Sequence, residues 1–332
     1  MKGRLRFPEG RRGNLALAAT STLVTLAVLA LAWELRGNFR YYRWRARFDN
    51  AGWVGTLTVA SPNPALIWEY RPYGEAAGVA TNRYGFRDVD YATRDKPAGT
   101  RRIAFLGDSI TVGMGVVPED TFVQRVGKAA AAPGRPLQAL NFGVDGYHAL
   151  QIRELLTAKV LAFQPDQAVY VMCLNDFDFT DSSGRKISYF RKPRSFLLQD
   201  LDRAWRALRG TEFHHHHFRK HEDEVFGAIL EMKRALEERR AGLLVAIVPV
   251  FPAGKDGADY FTRYPLADLH REIVAFCGRN GVRVHDLLED FRRQPPPPER
   301  YARDLWHLTE EGHRVVADSL LPALAPSATP AP

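Results

Sequence analysis

Apolar and polar positions divide the chain into three stretches of different pattern. Residues Gly13 to Trp33 form a run of 21 residues without a charge. Residues 50 to 100 hold only short alternating pieces between prolines and glycines, such as Gly55 to Val59. From Arg101 onward, short apolar runs alternate with stretches of helical period. These patterns predict a membrane-length helix, an irregular lead-in over residues 34–100 and a large α/β domain over residues 101–324.

The α/β stretch predicts regularly alternating strands and helices. We expect strands at Arg102–Leu106, Leu137–Phe142, Ala168–Leu174, Leu243–Val250 and Val282–His285. We expect helices near residues 120–131, 149–163, 219–240, 266–279 and 309–323. This alternation favours a parallel sheet with helices on both faces. In such a sheet, functional residues lie at the carboxyl ends of the strands.

The uncharged run matches a bilayer core, because 21 helical residues span about 31 Å. Four aromatic residues suited to the headgroup zone follow: Trp33, Tyr41, Tyr42 and Trp44. A secretory signal peptide is the alternative, since Ala30 to Ala32 offer a small-residue cleavage pattern, but the run is long for such a peptide. We therefore predict a transmembrane helix or signal anchor at residues 14–33, after a basic segment at residues 1–13. Five Lys or Arg side chains lie on each side of it, so charge does not orient it.

Net charge is concentrated at one end of the chain. Of the total of +8, residues 1–50 carry ten basic and three acidic side chains, a net of +7, so the other 282 residues net only +1. The α/β domain therefore lacks the basic surface typical of nucleic-acid binding, and the basic clusters beside the apolar run favour anionic lipid headgroups. The two cysteines, Cys173 and Cys277, lie in apolar runs, which is typical of buried hydrophobic residues.

Polar residues follow the predicted strands in four blocks. The first strand leads into Gly107-Asp108-Ser109-Ile110-Thr111, which places a serine at a strand-to-helix turn. The second leads into Asn141 to Tyr147, and the third into Cys173-Leu174-Asn175-Asp176. Near the C-terminus, Asp304 lies three residues before His307, where its carboxylate can reach Nδ1–H and leave Nε2 free as a base. Each block alone also fits a turn or a helix cap.

Together and in this order, the four blocks resemble those of the SGNH (GDSL-type) hydrolase superfamily over residues 101–323. The segment Thr81 to Arg87 resembles one that lies upstream of the domain in membrane-anchored bacterial members. The resemblance implies a three-layer α/β/α sandwich with a central parallel sheet, of the SGNH or flavodoxin-like type. Cys173 departs from the family, which usually has glycine at that position, and a bulkier residue could reshape the pocket.

The resemblance also implies a role for each block. Ser109 would be the nucleophile, and Asp304 and His307 would complete a catalytic triad. The backbone N–H groups of Ser109 and Gly146 and the side-chain amide of Asn175 would form an oxyanion hole. Such a site performs acyl transfer through a covalent intermediate and requires no metal or organic cofactor.

We therefore expect a membrane-anchored serine esterase whose catalytic domain faces the periplasm or the cell exterior. Its expected partners are an acyl ester, with O-acyl groups on envelope carbohydrate preferred, and the lipid bilayer; nucleic acid is not among them. Three alternatives stay open: an O-acyltransferase to a sugar acceptor, a lysophospholipase or thioesterase, and a non-catalytic membrane-tethered interaction module. Fold and mechanism do not select among these substrates.

Residues 177–224 form an insertion that is long for a connection in a compact domain. An amphipathic helix is predicted within it from the spacing of Leu197, Leu198, Leu201, Ala204, Trp205 and Leu208. The helix could pack on the core, act as a lid or lie on a membrane surface, the last favoured by the basic residues before it: Arg185, Lys186, Arg191, Lys192 and Arg194.

We expect the histidines elsewhere in the chain to be structural or exposed to solvent. The run His214 to His217, with His221, could bind a transition metal, but a solvated surface is the preferred interpretation. His313 is expected to be structural, because His307 already has a paired carboxylate. The tail at residues 325–332, rich in alanine and proline, is predicted to be disordered.

Overall fold

The computed structural model describes residues 10–51, 57–76, 78–91, 93–131, 136–179, 192–209, 212–252 and 259–325. The predictions for residues 1–9, for the tail after residue 325, and for Arg185, Lys186 and Arg191 lie outside these ranges. The chain divides into two compact units. One combines the N-terminal residues up to Gly52 with residues 191–210, and the other holds the remaining residues.

The first unit begins with one long helix, α1 (Arg11–Ala51). Its stretch Gly13–Arg43 is long and apolar enough to cross a membrane. Leucines along this stretch, such as Leu15 and Leu23, are about two-thirds exposed, at 68% and 67%. The helix continues through the basic and aromatic residues after Trp33, where no proline interrupts it.

The lead-in forms two small antiparallel sheets. Strands β1 (Thr58–Ala60) and β2 (Trp68–Tyr70) pair with each other, as do β3 (Glu75–Ala76) and β4 (Val79–Ala80). Leu66 and Trp68 are fully buried and join the hydrophobic core of the second unit. The lead-in is therefore part of the core of the second unit.

A parallel sheet of five strands forms the centre of the second unit. Its strands are β5 (Arg101–Gly107), β6 (Leu137–Gly143), β7 (Gln167–Met172), β8 (Gly242–Ile247) and β9 (Arg283–Asp286). They lie in the order β6-β5-β7-β8-β9 and every pairing is parallel. Every residue of β7 is buried, as expected for a strand covered on both faces. The predicted parallel sheet is confirmed.

The helices that follow are α2 (Ser109–Val112), α3 (Phe122–Ala130), α4 (Ala149–Ala158), α5 (Phe196–Arg209), α6 (Glu212–Glu237), α7 (Ala267–Arg279), α8 (Leu288–Arg292) and α9 (Glu310–Leu324). The chain steps from β5 to β6 in one direction and from β6 to β7 in the other. Right-handed crossovers therefore place α3 and α4 on opposite faces of the sheet. α9 packs against α3, and α6 packs against α4, which completes the three layers.

Two predicted helices differ from the observed ones. The helix expected at 219–240 begins at Glu212, because His217 and Phe218 are buried and extend its apolar face toward the N-terminus. The helix expected at 149–163 ends at Ala158 and is followed by a 3-10 turn, Val160–Phe163. The predicted amphipathic helix of the insertion is α5, and it packs along α1 within the first unit.

Candidate active site

The turn after β5 presents Ser109 at the start of α2. Asp108 is the N-cap residue, and its Oδ1 accepts a hydrogen bond from the Ile110 N–H at 2.9 Å. Gly107 must be glycine because a Cβ there would lie 2.2 Å from Thr111 Oγ1 and 2.9 Å from the carbonyl oxygen of Val171. The sheet and the helix therefore approach each other closely enough to fix the direction of the serine side chain.

Ser109, His307 and Asp304 form one hydrogen-bonded chain. Ser109 Oγ lies 3.0 Å from His307 Nε2, and His307 Nδ1 lies 2.7 Å from Asp304 Oδ2. The second oxygen, Asp304 Oδ1, accepts the backbone N–H groups of Trp306 and His307, both at 2.8 Å. A carboxylate on Nδ1 requires a proton there, which leaves the Nε2 lone pair for the serine hydroxyl. Ser109 and His307, which are 198 positions apart in the sequence, therefore lie in hydrogen-bonding contact, with Asp304 on the far side of the histidine ring.

Asp304 is held in its charged form. Burial acts to raise its pKa, but the hydrogen bonds from the His307 ring and from the N–H groups of His307 and Trp306 outweigh it and lower the pKa below the ordinary value. The side chain is half exposed, at 51%, and that of His307 is 30% exposed. His307 therefore has on its Nδ1 side a carboxylate partner whose charged form is favoured.

Asn175 lies on the 3-10 turn Leu174–Phe177 that follows β7, beside the turn that carries Ser109. Its Nδ2 donates to Asp108 Oδ2 at 2.9 Å, so the amide is tied to the residue that precedes Ser109. This bond identifies which amide atom is the nitrogen and leaves the second Nδ2–H available. Burial raises the pKa of Asp108, and the bonds from Asn175 and Ile110 act against that shift.

Gly146 lies in the loop between β6 and α4, with a positive φ of 75° that favours glycine. Asn141 ties β6 to α2, the helix that begins with Ser109: its Nδ2 donates to the Thr111 carbonyl at 2.8 Å and its Oδ1 accepts the Gly143 N–H at 2.9 Å. Gly143 itself permits close contact, since a Cβ there would lie 2.4 Å from the Val112 nitrogen. The second block is thus packed directly on α2.

The lead-in fixes the residues on both sides of Gly146. The Tyr70 hydroxyl accepts the Asp145 N–H at 3.0 Å, and the Trp68 indole donates to the Asp145 carbonyl at 3.3 Å. The Tyr147 hydroxyl donates to the Trp68 carbonyl, and the two rings meet edge to face at 5.5 Å. Sequence reasoning missed these contacts, because the alternating pattern of the lead-in does not indicate what it packs against.

Arg87, also from the lead-in, donates hydrogen bonds to carbonyls at the end of α2 and just after it. It is 5% exposed, and its guanidinium donates to the carbonyls of Val112 at 3.0 Å, Gly113 at 2.6 Å and Val116 at 2.6 Å. Asp88 beside it accepts the Asn141 N–H at 2.6 Å. The segment Thr81 to Arg87, noted above only for its resemblance, therefore supports the turn that carries Ser109.

Cys173, the departure from the family pattern, is buried where β7 ends. Burial, together with the nearby Asp108 and Asp176 carboxyls, raises the pKa of its thiol well above the ordinary value, so it remains a neutral hydrophobic group. Asp176 turns inward: its Oδ2 accepts the Tyr170 hydroxyl at 2.8 Å and the Cys173 N–H at 3.2 Å. The third block is therefore a rigid support beneath Asn175.

The histidine run is helical, and part of it is buried, which corrects the expectation of a solvated surface. His217 is only 2% exposed, with Nδ1 3.4 Å from Asp178 Oδ1. The His221 ring lies 4.1 Å from the Phe179 ring. Across the described ranges there is no group of three or more His, Cys, Asp or Glu side chains arranged to hold a metal ion.

A parallel α/β sheet that carries serine, histidine and aspartate at its carboxyl end is the arrangement of a serine hydrolase. The sequence model of the GDSL-like lipase/acylhydrolase family matches residues 105–315. The chain belongs to this family and is an SGNH-type serine hydrolase that acts on ester bonds.

Solved structures with a similar fold include an acetylxylan esterase from Geobacillus stearothermophilus, determined as a catalytic mutant. It is 15% identical over 70% of this chain and 97% of its own, with a TM-score of 0.46. An alpha/beta hydrolase enzyme from the metagenome of Lake Arreo, Spain, is 18% identical over 67% of this chain and 94% of its own, with a TM-score of 0.45. No curated protein matches the chain.

Proposed function

We propose that Ser109 is the nucleophile of a membrane-anchored esterase, with His307 as general base and Asp304 as the group that orients it. The observation that carries this proposal is the unbroken chain from Ser109 Oγ to His307 Nε2 at 3.0 Å and from His307 Nδ1 to Asp304 Oδ2 at 2.7 Å. A neutral serine is a weak nucleophile, and a positioned base removes its proton as the new bond forms.

The reaction then proceeds in two transfers. Ser109 Oγ bonds to the ester carbonyl carbon while its proton passes to His307 Nε2. The alcohol leaves with that proton, which gives an acyl-enzyme. A water molecule, deprotonated by the same nitrogen, releases the acid and regenerates the serine. Asp304 stabilises the imidazolium in both transfers because its carboxylate remains charged.

The oxyanion would be stabilised by the N–H groups of Ser109 and Gly146 and by the free Nδ2–H of Asn175. Support comes from the two ties that hold these donors: Asp108 on the Asn175 amide, and Tyr70 on the residue before Gly146. Donors fixed in advance require no reorganisation when charge develops on the carbonyl oxygen.

For the substrate we favour a short O-acyl group on an envelope carbohydrate. The side chains of Asp304 and His307 are 51% and 30% exposed, so this part of the triad is accessible from solvent. A solvent-accessible triad accommodates an ester of a bulky polar alcohol such as a carbohydrate, whereas a long alkyl chain needs an apolar cavity that buries most of its surface.

The nucleophile is tested by Ser109→Ala in the full-length protein in detergent. We expect hydrolysis of an activated acetate ester to be lost, together with labelling by a fluorophosphonate. Ser319→Ala, a partly exposed serine on α9, is the matched control and should retain both. A folded Ser109→Ala protein with wild-type turnover would exclude Ser109 as the nucleophile.

Acyl transfer to a sugar is distinguished from hydrolysis by partitioning of the acyl-enzyme. The wild-type protein is given an acetate ester with and without an oligosaccharide acceptor, and free acetate and acetylated sugar are both measured. We expect acetate to dominate at every acceptor concentration. An acetylated sugar that replaces acetate in proportion to the acceptor would identify a transferase and reject the esterase assignment.

We further propose that α1 anchors the enzyme as a single-pass helix, with the catalytic unit in the periplasm or outside the cell. The support is the exposed apolar surface of Gly13–Arg43, which would be unfavourable in water. Full-length protein should fractionate with membranes, resist extraction by high salt and be released intact by detergent. A mature N-terminus at Trp33 would show instead that a signal peptide had been cleaved.

Orientation needs its own measurement, because the flanking charges are balanced. Protease added to intact spheroplasts should digest the catalytic unit while α1 stays in the membrane. Complete protection, with digestion only after lysis, would place Ser109 in the cytoplasm and redirect the substrate search to lipids and thioesters there.

A further inference from the structure

Helix α5 of the insertion begins at a carboxylate of α1. Glu34, the first charged residue after the apolar run, accepts the Ser195 hydroxyl at 2.5 Å and the N–H groups of Phe196 and Leu197, both at 3.0 Å. These are donors at the start of α5 that have no partner within the helix, so Glu34 acts as its cap from another segment. Gly37 permits the contact, since a Cβ there would lie 2.3 Å from the Phe196 ring.

The two helices run in opposite directions. Phe196 lies against Gly37, and four residues later Asp200 Oδ2 accepts the Trp33 indole N–H at 3.1 Å, four residues earlier in α1. Each further residue of α5 therefore lies beside an earlier residue of α1. At 1.5 Å per residue, Trp205 extends about 7.5 Å past Asp200 toward the uncharged run. Ala30 in that run is partly buried, as expected if α5 continues alongside it.

Three large apolar side chains of α5 point away from α1. Leu198, Leu201 and Trp205 are 67%, 55% and 53% exposed. Their spacing of three and four residues places them on one face of the helix, which we name the apolar stripe. At about 100° per residue, the stripe lies on the side opposite Phe196 and Asp200, the residues that contact α1.

We propose that α5 passes beside α1 through the headgroup region of an anionic phospholipid bilayer and into its acyl layer, with the apolar stripe against the acyl chains. This inference rests on the proposed membrane anchoring of α1. The antiparallel course brings the stripe to the level of Trp33, where the exposed apolar surface of the run, Leu29 and Leu31 included, continues it. Basic side chains at the entry to α5 and on α1 complement anionic headgroups: Arg36, Arg40, Lys192 and Arg194.

A second element in the bilayer changes what the anchor does. A single spanning helix can rotate about its axis, whereas a second helix packed beside it, with one face in lipid, would limit both the rotation and the depth of α1. Glu34 is the point at which this constraint is transmitted, because it joins the two helices where the apolar run ends.

The test uses full-length protein in vesicles of phosphatidylcholine and phosphatidylglycerol, with an environment-sensitive fluorophore on one introduced cysteine. Leu201→Cys reports the stripe, Gln199→Cys reports the nearly opposite face of α5, and Leu26→Cys reports the spanning run. The native thiols Cys173 and Cys277 are buried. We expect blue-shifted emission and quenching by acyl-chain nitroxides at Leu26 and Leu201, and water-like emission at Gln199.

The three positions separate the two proposals. A reporter at Leu201 in water while that at Leu26 is in lipid would overturn the proposed position of α5 in the bilayer and leave the anchor intact. A reporter at Leu26 in water would overturn the anchor itself. Equal quenching at Gln199 and Leu201 would contradict the one-sided stripe. Shielding at Leu201 that increases with the ratio of protein to lipid would show that a second copy covers the stripe, which also rejects the proposal.

Discussion

The lead-in and the insertion both add residues to a five-stranded α/β core, yet their polar side chains hold different partners. From the lead-in, Arg87 binds the carbonyls at the end of α2, the helix that begins with Ser109, and Tyr70 binds the residue before Gly146. From the insertion, Ser195 and the start of α5 bind Glu34 of α1. The contacts therefore associate lead-in residues 57–91 with the candidate active site and insertion residues 195–209 with α1. The positions of the two regions in the sequence do not by themselves indicate these contacts.

The largest effect on turnover is expected from Asn175, a residue of the site itself. Asn175→Ala should lower kcat by about 100-fold or more with a smaller change in KM, because the oxyanion exists only in the transition state and one donor is worth roughly 2.7 to 4 kcal/mol. Steady-state kinetics on an acetate ester measure it. A change confined to KM would remove Asn175 from the oxyanion hole.

The acid stability of the catalytic unit is expected to depend on the buried His313. Burial, helped by the charges of Arg125, Arg87 and Arg303, lowers the pKa of His313 to about 3, and its Nδ1 accepts the Phe122 N–H at 3.2 Å. A pKa below the ordinary 6.5 means that the stabilising contribution is complete above that pH and is lost as pH falls toward 3.

The difference between wild type and His313→Gln isolates this proton. Denaturant unfolding at a series of pH values should show the wild-type free energy of unfolding falling by up to about 1.4 kcal/mol more per pH unit than that of the variant. Parallel curves for the two proteins between pH 6 and pH 4 would mean that His313 is not held neutral.

A variant of Tyr70 tests whether the lead-in supports catalysis. Tyr70→Phe leaves the Asp145 N–H without its acceptor and loosens the loop of Gly146, so we expect kcat to fall about tenfold, the equivalent of one lost hydrogen bond. Tyr73→Phe is the control, because that tyrosine is 67% exposed. Equal activity of the two variants would separate the lead-in from the oxyanion loop.

The smallest effect on turnover is expected in the insertion. Glu34→Gln weakens the cap of α5 by about 0.5 to 2 kcal/mol while kcat on a soluble ester stays unchanged. The readout is proteolysis of detergent-solubilised protein within residues 192–209, which should be faster than in wild type. A loss of turnover comparable with that of Tyr70→Phe would show that the insertion supports the active site as the lead-in does.

The sequence predicted the parts whose signals are local. Each central strand was placed within three residues at its ends, because parallel strands such as Gln167–Met172 read as continuous apolar runs. Asp304 and His307 were expected to lie together from a spacing of three, and the order of the blocks related them to Ser109. Trp68 and Tyr70 gave no such signal, since their partners lie 75 or more positions away. His217 was misjudged because a run of polar residues conceals which one faces inward.

Arg87 has one further consequence, which concerns how much of the chain can fold alone. The family match begins at residue 105, but the carbonyls of Val112, Gly113 and Val116 are held by a guanidinium from residue 87. A fragment that begins after residue 100 would retain every motif of the family but would lack Trp68. The part of the core that Trp68 covers would then be exposed to solvent. We expect such a fragment to be insoluble, whereas one that begins at residue 53 should fold: the autonomous unit of this enzyme is larger than the sequence signature by which it is recognised.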